Sequence, residues 1–339
     1  MNNKKIAFIT GFAGMVGSHL GDYLFENTDF DIVGFIRWQE NLENIEHFFN
    51  TINSNKRIKL IYGDINDSAS IDEAISFTKP DYVFHLAAQS YPLTSFTSPQ
   101  ETLNTNIIGT EKLLSACKKY IPESIIHICS SSEIFGRVKK SDLPIKENTI
   151  FQPASPYAIS KIGTDLIGRF YAEAYQMKVL TTRMFTHTGP RRGDVFAESS
   201  FAKQIAMIEK NLIEPVIKVG NLKSLRTWAD VRDAVRAYYL LVTHNPISGE
   251  YYNIGGNYTC TVEEMLNYLL SISETKKQIQ IIVDESRLRL IDADLQVPDT
   301  SKFMSHTGWE PKYTFEQTMF DLLEYWRKKV SNGKIFLTR

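Results

Sequence analysis

The 339-residue sequence is poor in the features that mark several protein classes. Its three cysteines, Cys117, Cys129 and Cys260, are odd in number and far apart, which excludes a thiolate metal cluster and suits a reducing cytoplasm. None of its seven histidines stands at metal-ligand spacing, so no metal is expected. No stretch approaches 18 apolar residues, so no membrane span is expected. Gly11 cuts the N-terminal apolar run at the length of a strand, which argues against a signal peptide. Excess charge is missing too. Lys and Arg number 38 against 39 Asp and Glu, so no global field draws in nucleic acid or a membrane surface. Repeats and low-complexity tracts are absent.

What is present is an ordinary globular composition, 43% hydrophobic and 23% charged, long enough for one large or two fused domains. Short, largely apolar runs at 6–9, 32–36, 58–61, 82–86 and 125–129 read as strands buried on both faces. Helical patterns lie between them, as at 68–78 and 102–119. A long helical pattern at 154–176 and a sixth strand at 179–184 follow. This alternation predicts an α/β fold with a doubly wound, Rossmann-type parallel sheet. After Gly189-Pro190 the pattern changes, with helices at 199–210 and 230–243 and an extended piece at 214–219. The expected division is a dinucleotide-binding domain over 1–180 and a smaller α/β substrate domain over 181–339, some of whose segments return to the first. The ligand cleft is expected at the carboxyl ends of the parallel strands.

The first strand runs into Thr10-Gly11-Phe12-Ala13-Gly14-Met15-Val16-Gly17, where a helix opens. The first glycine permits a tight turn, the second a close approach of backbone to a pyrophosphate, the third close helix–strand packing. The helix N-terminus offers N–H groups and a positive dipole end to phosphates. Strand two ends in Gly34-Phe35-Ile36-Arg37, with no acid before Glu40. An acid there would bind the ribose hydroxyls of NAD, whereas an arginine pairs with the 2′-phosphate of NADP. The reading is therefore NADP, with NAD the alternative if Arg37 is only a solvated surface residue.

Tyr157 and Lys161, four residues apart, share one helix face. An ammonium about 4 Å from a phenolate is worth roughly 4 kcal/mol at an effective dielectric near 20. That would bring a phenol of pKa about 10 toward neutrality, as a general base requires. Strand five leads into Ser130-Ser131-Ser132-Glu133 at the end where substrate should lie. Glu133 reads either as a working carboxylate or as an exposed turn residue.

The Gly-x-x-Gly-x-x-Gly spacing and the Tyr-x-x-x-Lys pair resemble the extended short-chain dehydrogenase/reductase family along nearly the whole chain. Two further segments fit. Asp64-Ile65 resembles the turn that meets the adenine, and Leu86-Ala87-Ala88-Gln89-Ser90 a segment that lies along cofactor and sugar. The closer resemblance is to the GDP-mannose 4,6-dehydratases, on Ser131-Ser132-Glu133, Ser155-Pro156-Tyr157-Ala158, Pro190-Arg191-Arg192-Gly193, Gly220-Asn221-Leu222 and Asp230.

That resemblance implies a GDP-sugar substrate. Ser131 would hold the sugar O4, Tyr157 would take its proton, and Glu133 would move a proton from C5 to the departing C6 hydroxyl. It implies arginines on the diphosphate at Arg226 and Arg289, either of which is otherwise a plain surface residue. Arg191 and Arg192 would sit in a loop that reaches a neighbouring subunit's cofactor, hence a homo-oligomer, tetramer or dimer. Departures concern the sugar: Thr186 replaces an asparagine before His187, Ser200 stands where a lysine is usual with Lys203 one turn on, and Leu290 replaces a proline. A 4-keto-sugar reductase, a nucleotide-sugar epimerase or decarboxylase, and a non-catalytic NADP sensor are the rival readings.

Overall fold

The computed structural model of the protein describes residues 4–54, 57–275 and 277–335. The six apolar runs form β1 (Ile6–Thr10), β2 (Asp31–Ile36), β3 (Ile58–Tyr62), β4 (Tyr82–His85), β5 (Ile125–Cys129) and β6 (Lys178–Met184). They are followed by β7 (His187–Thr188), β8 (Val216–Val219), β9 (Leu225–Asp230), β10 (Tyr251–Ile254), β11 (Tyr258–Thr261), β12 (Gln280–Val283) and β13 (Leu295–Gln296). Seven of these align in one parallel sheet in the order β10-β6-β5-β4-β1-β2-β3. The order reverses between β1 and β4, which is where a doubly wound sheet opens its ligand crevice. Strand β10 was not legible in the sequence, because Tyr251-Tyr252-Asn253-Ile254 is short and carries a polar residue in its middle.

The rest of the later chain forms smaller sheets. Strands β11, β9 and β13 lie side by side with β7 on β9, and β12 pairs with β8. A second core of Phe201, Ile205, Met265, Leu266, Leu322 and Trp326 packs beneath them. This part overhangs the carboxyl ends of β5 and β6, since residue 289 of its chain reaches residue 133 at the end of β5.

The expected helix at 102–119 is interrupted. Residues Asn104–Ile108 form a π-helical turn between Pro99–Leu103 and Gly109–Tyr120. Such turns re-aim side chains within a helix. Here the turn buries Asn106, which accepts from Gln89 N and donates to the Gln89 carbonyl and Ser160 Oγ, at 2.8–2.9 Å.

The helix Pro156–Tyr175 carries the tyrosine–lysine pair. Ser155 caps it by accepting from Ala158 N at 3.0 Å, and Pro156 sits in its first turn, where no N–H is needed. Its inward face runs Tyr157, Lys161, Asp165, Ala172, the spacing of a helix stripe. Asp165 is wholly buried and accepts two hydrogen bonds from Arg183 of β6, at 2.8 and 3.1 Å. Arg183 is 1% exposed and also donates to the Glu147 carbonyl. This pair fixes the helix against the sheet. Removing one partner of a buried pair leaves an uncompensated charge, at a cost of about 3–5 kcal/mol. Asp165→Asn is therefore expected to lower the unfolding free energy by that order, measured from a chemical unfolding curve. A loss below about 1 kcal/mol, the range of exposed pairs, would show that the pair does not anchor the helix.

Candidate active site

The glycine turn is built as its spacing demands. Gly11 has φ +69, and a Cβ on it would stand 3.0 Å from Ala87 Cα and N. A Cβ on Gly17 would stand 2.3 Å from the Gly11 carbonyl oxygen and 2.7 Å from Phe12 Cα. The helix α1 (Met15–Asn27) begins at Gly14 with no side-chain cap, so its first amides face the turn. The turn's side chains point away from it. Phe12 is wholly buried and stacks on Phe48, Ala13 and Met15 are buried, and Val16 is half-buried against the core. What remains for a ligand is backbone and helix dipole, and this cradle fits the pyrophosphate of a nicotinamide dinucleotide.

A buried chain of hydrogen bonds locks the turn to β4. Thr10 Oγ1 accepts from Leu86 N and Ala87 N at 3.0 Å each and lies 2.9 Å from His85 Nδ1. His85 Nε2 lies 2.9 Å from Thr110 Oγ1, whose own proton goes to the Asn106 carbonyl. Thr110 therefore accepts from His85 Nε2–H, and Nδ1 accepts from Thr10. One neutral tautomer satisfies every group, and burial pushes the His85 pKa down to about 3.

Arg37 follows β2 with a side chain 65% exposed and pairs with Glu40 at 2.9 Å. Asp64 accepts from Asn66 N at 2.8 Å and so closes its own turn. Ile65 packs under Gly109, and Ala88 is half-buried beside Ala87.

The chemical groups gather where β5 ends. Ser131 Oγ accepts from Glu133 N at 3.2 Å, and the tight turn Ser132–Ile134 swings Glu133 inward, leaving it 8% exposed. Glu133 is thus not an exposed turn residue. Ser132 is buried as well. Tyr157 is beside this turn, with Ser131, Glu133 and Arg192 within electrostatic reach. The expected effect of Lys161 on Tyr157 is corrected. Lys161 Nζ donates to the Cys129 carbonyl at 2.7 Å, and burial lowers its pKa. Burial raises the Tyr157 pKa, against the opposing influence of Ser131 and Arg192. In the protein alone, desolvation outweighs both.

Arg191 and Arg192 engage their own chain: Arg191 donates to Asp22 of α1 at 2.7 Å, and Arg192 bonds Glu198 at 3.1 Å and lies over the Phe196 ring at 3.4 Å. Phe196 and Glu198 lie just beyond the Arg191–Arg192 turn and give Arg192 both a face and a carboxylate to fold onto, so it turns into its own site. Gln89 is no free ligand group. Its amide donates to the Tyr91 carbonyl and Thr102 Oγ1 and accepts from Tyr91 N, which holds its loop in shape. Ser90 beside it is exposed.

Thr186 is half-buried, and its carbonyl accepts from Ala229 N of β9. His187 Nδ1 is bonded to the Phe185 carbonyl at 3.0 Å. Lys203 is buried and pairs with Asp194 at 2.9 Å. Arg226 and Arg289 are drawn to the same place: Arg289 Nη1 lies 3.3 Å from both Glu133 oxygens, and Arg226 Nη1 3.7 Å from one. Asp292, overlooked in the sequence, faces both arginines at 3.4 and 3.7 Å. Its i,i+3 spacing from Arg289 was the available signal. Tyr91, within electrostatic reach of Arg289, was missed as well and carried none.

Four histidines of this framework are held neutral. Burial lowers His85 and His127 to about 3 and His19 and His187 to about 4, against roughly 6.5 unfolded. Between pH 6.5 and 4 the unfolded chain binds protons that the folded chain refuses, so stability falls as pH falls. Each histidine contributes up to about 1.4 kcal/mol per pH unit. The thermal midpoint is expected to drop steeply from pH 6.5 to 4.5. A midpoint flat over that range would contradict the buried neutral forms.

Comparison with known proteins follows the geometry. A model of the GDP-mannose 4,6 dehydratase family matches residues 8–322. The GDP-mannose 4,6 dehydratase of Drosophila melanogaster is 30% identical over 95% of this chain and 86% of its own length. The GDP-6-deoxy-D-mannose reductase of Pseudomonas aeruginosa is 29% identical over 95% of this chain and 97% of its own. Among solved structures, RMD from Pseudomonas aeruginosa complexed with NADPH matches with a TM-score of 0.80 at 27% identity, over 96% of this chain and 100% of that one.

Proposed function

The chain belongs to the GDP-mannose 4,6 dehydratase family, and on that premise we propose that it is a GDP-sugar 4,6-dehydratase that turns a GDP-hexose or GDP-heptose into the 4-keto-6-deoxy sugar. The observation that carries this reading is Glu133, a buried carboxylate brought beside Tyr157 and Ser131 at the end of β5. Reduction or epimerisation at C4 needs the tyrosine and the serine alone. Elimination of water across C5 and C6 needs a second group that accepts a proton at C5 and returns one to the C6 hydroxyl.

In this mechanism the glycine turn and the first amides of α1 hold the pyrophosphate, and Arg37 favours NADP over NAD through the 2′-phosphate. A nicotinamide held there would supply reversible hydride exchange with the sugar. Ser131 holds the O4 hydroxyl, and Tyr157 takes its proton, helped by the two groups that oppose the burial penalty, Ser131 and Arg192. The C4 ketone acidifies C5–H, and Glu133 takes that proton and delivers it to the C6 hydroxyl as it departs as water; C5 then regains a proton as C6 is reduced, balanced by the one that Tyr157 took from O4. Lys161, fixed on the Cys129 carbonyl, holds the floor of the site. Gln89, Thr186, His187, Lys203, Arg226 and Arg289 frame the nucleotide-sugar cleft, Gln89 by shaping its loop. Exposed Ile108, Ile159, Leu166 and Phe170 on neighbouring helices form an apolar face suited to a dimer or tetramer, and unpaired thiols suit the cytoplasm.

Two measurements test the reading. Denaturing the purified protein is expected to release NADP(H). Release of NAD alone would remove the Arg37 argument. With GDP-mannose and related GDP-sugars, mass spectrometry is expected to show loss of water. Tyr157→Phe is expected to slow this by about 10²–10⁴-fold, and Glu133→Gln to permit oxidation at C4 but not dehydration. A wild-type protein that eliminates water from no GDP-sugar, yet reduces a 4-keto sugar with added NADPH, would be a reductase instead.

A further inference from the structure

The arginines of this protein fall into two groups by the quality of their pairing. Arg183, Arg232 and Arg327 make forked bonds to carboxylates with contacts of 2.7–3.1 Å, the usual range of charge-assisted pairs. Arg226 and Arg289 do not. Arg289 spreads a single nitrogen, Nη1, over both oxygens of Glu133 at 3.3 Å and Asp292 Oδ1 at 3.4 Å. Among the described residues no hydrogen bond uses its Nε or Nη2. Arg226 reaches Glu133 and Asp292 only at 3.7 Å and the Ala293 carbonyl at 3.4 Å. Both side chains are largely buried, 13% and 22% exposed. Two guanidinium groups thus converge on the cleft with most of their donors unspent, while Asp292 is tied down elsewhere, by Asn221 Nδ2 at 3.0 Å and by Ala293 N at 3.0 Å.

A planar fork with a free edge matches a phosphate better than a stretched contact to one carboxylate. The single positive charge of Arg289 already faces two carboxylates. A diphosphate arriving on its open edge displaces the stretched contact to Glu133, whose side chain has no other hydrogen-bond partner among the described residues, whereas Asp292 stays because Ala293 N and Asn221 hold it. We propose that Glu133 and the diphosphate of the nucleotide sugar compete for Arg289, so that the arginine restrains the carboxylate until the substrate's diphosphate takes the arginine away. This rests on the nucleotide-sugar reading of the cleft. It makes Arg289 a positioning residue for Glu133 and links docking of the nucleotide to release of the group that works at the far end of the sugar.

The test uses GDP, which lacks the sugar and so reads the competition without the reaction. Calorimetric titration of the cofactor-loaded protein is expected to show Glu133→Gln binding GDP about tenfold more tightly than wild type, equivalent to about 1.4 kcal/mol. Glu133→Ala is expected to shift affinity in the same direction, and both are checked for native melting. The gain is expected to vanish in an Arg289→Gln background, because a double-mutant cycle isolates what passes through the pair. Unchanged or weaker binding by both Glu133 variants overturns the proposal. So does an equal gain with and without Arg289, which would make Glu133 a mere like charge beside the ligand. If wild type binds UDP or dTDP but not GDP, the guanine part of the functional reading fails and the same cycle is run on the nucleotide that binds. Binding of no nucleoside diphosphate overturns the proposal outright.

Discussion

The hydrogen-bond chain from Thr10 through His85 and Thr110 to Asn106 joins the glycine turn to the helix that carries Tyr157 and Lys161. At one end it fixes the backbone amides of Leu86 and Ala87 against the glycine turn, within 3.0–3.2 Å of where a side chain at Gly11 would begin. At the other end the Asn106 carbonyl accepts from Thr164 Oγ1, and the Asn106 amide donates to Ser160 Oγ, both on the helix that carries Tyr157 and Lys161. Each link is buried, so each has a desolvation cost of about 1–3 kcal/mol if its partner is lost. The cofactor turn and the catalytic helix, far apart in sequence, are therefore held in one frame by polar groups that only one arrangement satisfies. The neutral imidazole is the part of that frame that acid attacks.

The scaffold was easier to read from sequence than the site for a physical reason. Strands of a sheet covered on both faces are rich in apolar residues, so most of β1 to β6 announce themselves locally, although edge strand β3 exposes Lys59 and β6 carries Arg183. The glycines and the Tyr157–Lys161 spacing are also local patterns, set by one turn and one helix. Strand β10 is not of that kind. It is four residues long and is a strand only because β6 offers it a parallel partner. The π-helical turn at Asn104–Ile108 has no periodicity of its own and exists to aim Asn106. The acceptor of the Lys161 ammonium is a main-chain carbonyl, which no side-chain pattern encodes.

The same distinction explains the arginines. Arg289 and Glu133 lie 156 residues apart, and nothing near either in sequence points to the other. A guanidinium in the sequence is only a charge with a reach. Whether it is a structural rivet or a ligand group depends on how much of its fork the fold has already used. Arg183 spends its donors on Asp165 and the Glu147 carbonyl and cannot be withdrawn without loss of the helix anchor. Arg289 spends one nitrogen on contacts longer than 3.2 Å. A fold that can build 2.8 Å pairs elsewhere and leaves this one stretched has kept those donors available, and the cleft beside Glu133 is where they face.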